Sequence, residues 1–373
     1  MEATLQRSSS MAMSVMLLLL AVLLYHGSVV EAAYQRPESG VSNHHPVIGV
    51  LTLPEPRCLQ YGDQVIATSN ARWLQAGGAR VVPIFYDSTP EELDFVLNRV
   101  NGVFWTGGNV NFNPHTEAKT GTVYLRTTEY ILRHAIRENS RGNFYPLWGT
   151  CLGFERMLQL VAEDDEAKIV EKFDAENYPI NLGFTDPAWQ SRLFKSMSDE
   201  LFTEVASPLG RLAFNNHGLG IHPNSFQNNT LLSEHFSVLS VDLDRNGKPF
   251  VSTVEGKSWP FYATQWHPEK APWEWNPAWQ IERNDLAIQL SNYFGRFFVN
   301  ECKYNKNQFE SLELEDRMLL HNWMSIPNGV IHRINPKIRI SFTEIYCIDK
   351  NKVESPAIAG TQPAKKLKRF PLL

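Results

Sequence analysis

The chain has 373 residues, 43% apolar and 20% charged, with a formal net charge of −5 at pH 7. Past its first thirty or so residues it reads as ordinary globular protein, long enough for one large domain or two ordinary ones with a sizeable core. The mild negative balance argues against a nucleic-acid surface, while enzyme, carrier and interaction module all remain open at this level.

Arg7 and the Ser8-Ser9-Ser10 run precede an apolar stretch over 11–24, followed by small residues at Val30, Ala32 and Ala33. A basic residue, a short apolar core and small residues in that order predict a signal peptide over 1–33, cleaved near Ala32 or Ala33. The stretch is short for a membrane span, which needs about 20 apolar residues. No later segment is apolar enough to span. The expectation is a chain with no stable membrane insertion, routed to the secretory pathway. Residues 34–45 form a short linker. Cys58, Cys151, Cys302 and Cys347 are too few for a disulfide-built scaffold. Whether Cys58 pairs with Cys302 the sequence leaves open. Asn228 heads an Asn-Asn-Thr sequon that fits the secretory route.

Pro46 to Leu53 is a short apolar run bounded by prolines and predicts a strand. Helical spacing follows, with apolar Val65, Ile66, Trp73 and Leu74, until Gly77 and Gly78 stop it. "ARVVPIF" is a second strand. "TPEELDFVLNRV" predicts a helix, with Thr89 as N-cap, Pro90 at the first helical position and glutamates in the first turn. "NGVFWTGG" is a third strand, "TVYLRTTEYILRHAIREN" an amphipathic helix, "FYPLWG" a fourth strand and "LGFERMLQLVA" a fourth helix. This alternation predicts an α/β fold: a mostly parallel central sheet with helices on both faces. Ligand sites in such sheets lie beyond the carboxyl ends of the strands. "LAFNNHGLGIHP", "FSVLSVDLD", "FVSTVEG" and "FYATQWHPEK" read as later strands and their loops, and "NDLAIQLSNYFGRFFVNECK" as a closing helix. Past about Phe309 the character changes: "ESLELEDRMLLHNWMSIPNGV" is compatible with helix, but residues 310–373 carry no motif and end in a basic run, so the bland reading is an extension of unknown role, poorly ordered or an artefact of the gene model.

The stretch "YPLWGTCLGFERMLQLVA" places a cysteine where strand turns sharply into helix. Such a turn lifts one side chain above the sheet, and Gly149 and Gly153 give it room to close. Cys151 then stands near a helix N-terminus, where amides and the helix dipole favour a thiolate, the reactive form. A cysteine nucleophile needs a base, and the base needs orientation. "TQWHPEK" offers His267 and Glu269, two apart, so an extended segment points both to one side. Backbone N–H groups of Gly107 or Gly108, with that of Leu152, are candidates for an oxyanion hole. His217, in "NNHG", sits in a predicted loop and either contacts substrate or is an ordinary loop histidine. The remaining histidines lack partners at ligand spacing, so neither metal nor cofactor is expected.

"LWGTCLGFE" followed about a hundred residues later by "ATQWHPEKAPWEW" resembles the class I glutamine amidotransferase-like superfamily. Within it the closer match is the gamma-glutamyl hydrolase family, over about 46–307, including Tyr61-Gly62, "AGGARVVP", "NGVFWTGG" and "NNHGLGI". The resemblance implies a flavodoxin-like layered catalytic domain over 46–309, with Cys151 as nucleophile, His267 as base and Glu269 as its partner. It implies a substrate-binding role for His217, with Glu155 and Gly107 in the same site. It also implies an omega peptidase acting on folylpoly-γ-glutamates and antifolate polyglutamates, often as a homodimer, in lysosome, vacuole or extracellular space. Ammonia-producing relatives carry glutamine four residues after the nucleophile, where this chain has Glu155. That substitution and the absence of a synthase partner domain weigh against the alternative of a glutaminase-type amidotransferase; the complete Cys-His-Glu set weighs against a silent binding homologue. Thr106 stands where the family usually has proline, a departure that falls on the oxyanion loop.

Overall fold

The computed structural model describes residues 36–37, 40–110, 119–164, 168–338 and 340–350. The expected signal peptide over 1–33 lies outside these residues. β1 (Val47–Leu51) and the short β2 (Leu53–Pro54) lead through a 3-10 turn, Pro56–Tyr61, to β3 (Gln64–Ala67). Only then does α1 (Thr68–Ala76) begin. The helical reading from Val65 is therefore corrected at its start: β-branched Val65 and Ile66 suit a strand, and both have cross-strand partners.

The predicted alternation continues. β4 (Arg80–Ile84), α2 (Pro90–Leu97), β5 (Val103–Trp105), α3 (Lys119–Ser140), β6 (Leu147–Thr150) and α4 (Leu152–Val161) follow in order. Thr89 caps α2 with a full capping box: its hydroxyl accepts from the amide of Glu92, and the Glu92 carboxylate accepts from the amide of Thr89 at 2.9 Å. β7 (Val170–Ile180) and β8 (Ala213–Ile221) pair antiparallel as a separate ribbon. β9 (Phe236–Leu243), β10 (Pro249–Gly256), β11 (Phe261–Thr264) and α5 (Asp285–Cys302) complete the main sheet and its helical cover.

The main sheet has the order β4-β1-β5-β6-β11-β10-β9. β4, β1, β5, β6 and β11 run parallel; β10 and β9 add an antiparallel edge. The central strands are buried on both faces, as a helix-covered parallel sheet requires. Alternation divides their side chains. Val47, Leu51, Val103, Trp105, Leu147 and Phe261 pack with Leu97, Ile131 and Met157 of α2, α3 and α4. Ile48, Val50, Phe104, Trp148 and Tyr262 pack with Trp73, Leu74 and Phe294 of α1 and α5. β5, β6 and β11 thereby bring their carboxyl ends together at the middle of the sheet.

The bland reading of a poorly ordered extension does not hold for the described part of 310–350, and the stretch compatible with helix does contain one. α6 (Leu312–Met318), β12 (Ser325–Pro327), α7 (Asn328–Ile334) and β13 (Glu344–Ile348) are formed there. β13 pairs with β3, giving a second sheet of order β12-β13-β3-β2. Ile326, Ile331, Ile340 and Ile345 join the same core as the central strands. Cys58 is disulfide-bonded to Cys347, across 289 residues of sequence, and Cys302 is a free thiol. Cys302 stays in the core at the end of α5, where its sulfur lies against Gly102.

Candidate active site

Cys151 sits between β6 and α4 with φ 53° and ψ −108°, a backbone that L side chains rarely adopt. Its amide donates to the carbonyl of Thr264 at 2.8 Å, which ties the turn to the end of β11. The two glycines around it are required. A Cβ on Gly149 would lie 2.6 Å from the carbonyl oxygen of Gly153, and one on Gly153 would lie 2.4 Å from that of Trp105. Both obstacles are backbone, so α4 closes on β6 and β5 only because these positions are bare.

His267 follows β11, and its amide donates to the carbonyl of Phe214 in β8 at 2.9 Å. Its Nδ1 lies 2.7 Å from Oε1 of Glu269, with both side chains buried. A carboxylate accepts, so Nδ1 carries the proton and Nε2 is left basic. The imidazole and the cysteine meet at Gly107: a Cβ there would lie 2.6 Å from Cε1 of His267 and 3.2 Å from Cβ of Cys151. Gly108 passes beside Leu152 and packs on Leu53. The candidate oxyanion backbone therefore runs along the nucleophile and base. Thr106 is buried, its hydroxyl 3.5 Å from the carbonyl oxygen of Leu51, so its side chain turns into the sheet.

Electrostatics set the resting protonation. Burial pushes the Cys151 thiol up, with the carboxyl of Glu155 adding; Lys270 and the amide of Leu152 pull it down but do not win. The helix terminus does favour the thiolate, through the amide of Leu152, but it does not decide the outcome. Desolvation in a closed elbow outweighs the dipole. Burial also pulls His267 down, aided by Lys270 and opposed by Glu269. Burial works to raise Glu269, but His267 and Lys270 outweigh it and hold the carboxyl below its ordinary value. The resting state this describes is a neutral thiol beside a neutral imidazole backed by a carboxylate.

Glu155 lies one turn into α4, buried, and its Oε1 accepts from Nε2 of Gln265 at 2.9 Å. Burial raises its carboxyl to about 7, with Gln265 opposing. His217 belongs to β8 rather than to a loop. Its Nδ1 is 2.7 Å from the carbonyl oxygen of Leu219, its Nε2 3.1 Å from Oδ1 of Asn215, and Phe250 packs against its ring edge. Burial holds it neutral, lowered to about 3. A neutral ring carries one N–H, which Nδ1 donates to Leu219; Nε2 then keeps its lone pair beside Oδ1 of Asn215, and the ring still interacts electrostatically with His267. Asn228 ends the short helix Pro223–Asn228 and is exposed.

The sequence reading gave no role to Gln265 or Lys270, though both stand in the quoted motif. Lys270 is 2% exposed, an unusual place for an ammonium. Its Nζ lies 4.3 Å from the ring centre of Trp279, 5.4 Å from that of Phe214 and 5.8 Å from that of Phe342. A lysine directly after His-Pro-Glu was the available signal.

Comparison with known proteins agrees with this geometry. The peptidase C26 family profile matches residues 46–269. Gamma-glutamyl hydrolase B of Dictyostelium discoideum is 37% identical over 283 residues, covering 75% of this chain and 79% of that one. Gamma-glutamyl hydrolase of Homo sapiens is 31% identical over 310 residues, covering 82% and 90%. Gamma-glutamyl hydrolase 1 of Arabidopsis thaliana is 33% identical over 283 residues, covering 74% and 77%. With a cysteine elbow, a paired His-Glu and these relatives along most of its length, the chain belongs to the peptidase C26 family, that of the gamma-glutamyl hydrolases.

Proposed function

We propose that the chain hydrolyses the γ-glutamyl amide bonds of folylpoly-γ-glutamates, and of antifolate polyglutamates, through a thioester on Cys151. The observation that carries this reading is the meeting of Cys151 and the Glu269-backed His267 over Gly107. Nε2 of His267 takes the thiol proton as Sγ attacks the γ-carbonyl carbon. The carbonyl π electrons move to oxygen, where the amides of Gly108 and Leu152 receive the charge. The tetrahedral intermediate collapses, the C–N bond breaks, and the imidazolium gives its proton to the departing amine. Water, deprotonated by His267, then attacks the thioester, and the C–S bond breaks. Cys151 regains its proton from His267, and a shortened γ-glutamyl acid leaves. No redox partner is needed. A neutral thiol–imidazole pair supports proton removal during attack rather than a preformed ion pair.

His217, Glu155 and Gly107 are proposed to shape the substrate site. For His217 this shaping is indirect, since its Nδ1–H is already given to Leu219, and Oε1 of Glu155 is likewise held by Gln265. We further propose a secreted, lysosomal or vacuolar protein, glycosylated at Asn228 and acting as a homodimer. The Cys58–Cys347 disulfide supports that route, because such bonds persist in oxidising compartments.

The test is product analysis. Purified protein is incubated with a folate carrying several γ-linked glutamates, at pH about 5 and about 7, and chain lengths are followed by mass. Shorter chains or free glutamate are expected. Intact substrate at both values, or ammonia released from free glutamine instead, would overturn the reading.

A further inference from the structure

Residues 311–350 contact both loops that flank the catalytic pair. On one side, β13 pairs with β3, and Cys347 is bonded to Cys58 in the turn after β2. The contact there is tight. A Cβ on Gly62 would lie 2.3 Å from the backbone oxygen of Ile348, and the amide of Asp63 donates to that same oxygen at 3.2 Å. Leu53, which precedes this turn, is the residue against which Gly108 packs. On the other side, the segment just before β13 grips the chain that follows the base. Oγ1 of Thr343 accepts from the amide of Trp275 at 2.7 Å, and the amide of Thr343 donates to Oε2 of Glu274 at 2.8 Å. The carbonyl of Ser341 accepts from Nδ2 of Asn276 at 2.9 Å. Phe342, between them, is one of the three rings around Nζ of Lys270. Lys270 is the residue next to Glu269.

We propose that the C-terminal segment 311–348 is a positioning element of the active site, acting through Phe342 and Thr343 on the loop that carries His267, Glu269 and Lys270, with the Cys58–Cys347 disulfide as its anchor.

The chemistry explains why such a buttress is needed. The 270–276 loop holds a buried ammonium and a buried carboxylate, Glu274, and neither is stable there unless its surroundings are fixed. The rings supply faces for the cation and keep water from it. The titratable groups that reach Lys270 are His267, Glu269 and Glu274 on its own loop and Cys151 across from it. Lys270 pulls both Cys151 and His267 toward lower values. Opening the ring box to water screens the ammonium, so both groups move up and the acid limb of activity moves to higher pH. The sequence carries a trace of the same dependence: Gly62, in the Tyr61-Gly62 pair, is bare where the backbone of β13 comes closest.

The inference rests on the reaction proposed above for its kinetic readout, so a second readout uses no substrate: the rate at which iodoacetamide alkylates Cys151, mapped by peptide mass, against pH. Thr343→Val is near-isosteric and removes the acceptor for Trp275, while Thr343→Ser keeps it. Phe342→Leu removes the ring, while Phe342→Tyr keeps it. Thr343→Val and Phe342→Leu are expected to lower kcat roughly 10-fold, with KM little changed. They are also expected to slow alkylation of Cys151 and shift its pH profile upward. The conservative substitutions Thr343→Ser and Phe342→Tyr are expected to keep both kcat and the alkylation profile near wild type. Wild-type protein reduced with dithiothreitol needs no substitution, and a denatured thiol count confirms opening of the bond. It is expected to show the same shift, reversed on reoxidation. Unchanged alkylation and an unchanged pH profile in Thr343→Val, Phe342→Leu and the reduced protein would overturn the inference. An inactive wild type whose alkylation responds as described would instead fault the proposed reaction and leave this inference standing.

Discussion

At the scale of the residue, Cys151 and Glu269 do different work. In the proposed reaction Cys151 supplies the electrons that form the thioester, and Glu269 orients the base. Cys151→Ala keeps a Cβ and the backbone of the turn, so turnover should vanish while the thermal midpoint stays close to wild type. Glu269→Gln keeps shape but lets Nδ1 of His267 lose its fixed proton. It should cost on the order of 10²- to 10⁴-fold in kcat, the range for a positioned general base, with a small effect on KM. Steady-state kinetics on folded protein check both. These residues were legible because their neighbours in sequence are also their neighbours in space: Gly-Thr-Cys-Leu-Gly makes the elbow, and His-Pro-Glu brings imidazole and carboxylate together. His217 was legible as a residue but not as a position. Alternation places it in β8, whose partner strand β7, at 170–180, mixes charged and apolar residues too irregularly to read as a strand. Lys270 was overlooked because a lysine after an acidic residue normally marks solvent; the three rings that bury it come from 214, 279 and 342, far apart in sequence.

At the scale of the element, the strand–turn–helix unit of β6 and α4 depends on bare positions. Gly149→Ala and Gly153→Ala each drive a methyl group into backbone oxygen rather than into a movable side chain. Overpacking of this kind typically costs about 1–3 kcal/mol. Both variants should unfold at lower denaturant and lose activity more steeply than stability, because the same shift displaces Cys151. Urea titration beside kinetics separates the two effects. Strand and helix order in the sheet followed from periodicity, since each central strand is apolar on both faces. The boundary at β3 did not, because a short β-branched run fits strand and helix alike until its partners are known. The two partners of β3 are β2, next to it, and β13, near the far end of the described chain.

At the scale of the whole molecule, the C-terminal segment and the buried titratable groups govern stability. Closing a very long loop gives the Cys58–Cys347 bond leverage on the unfolded chain. Removing it with paired serine substitutions should cost about 2–5 kcal/mol in chemical unfolding. The segment is as apolar as the rest of the chain, yet its place was not legible in sequence, because β13 is fixed by pairing with β3, far away along the chain. pH acts in two opposed windows. Burial lowers His217 to about 3 and His134 to about 4, so both stay neutral in the folded state while the unfolded chain takes up protons below its ordinary histidine value near 6.5. Their stabilisation is present above that value and is lost as pH falls. Burial raises Glu155 to about 7, so the folded state holds a proton that the unfolded carboxyl releases near 4.5. Its contribution is full below 4.5 and is lost as pH rises through 7. Glu155→Gln removes that dependence. The stability of the variant relative to wild type should therefore increase between pH 5 and 8, by on the order of 3 kcal/mol. Denaturation curves of both proteins at the two values check this, and a constant difference would contradict it.

The central claim is that one sulfur carries the reaction. Its most direct test sets purified Cys151→Ala beside wild type on a folate with several γ-linked glutamates and follows chain length by mass. The expected result is shortened chains from wild type and none from the variant, with both proteins equally folded. Shortening by the variant at a rate near wild type would contradict the account.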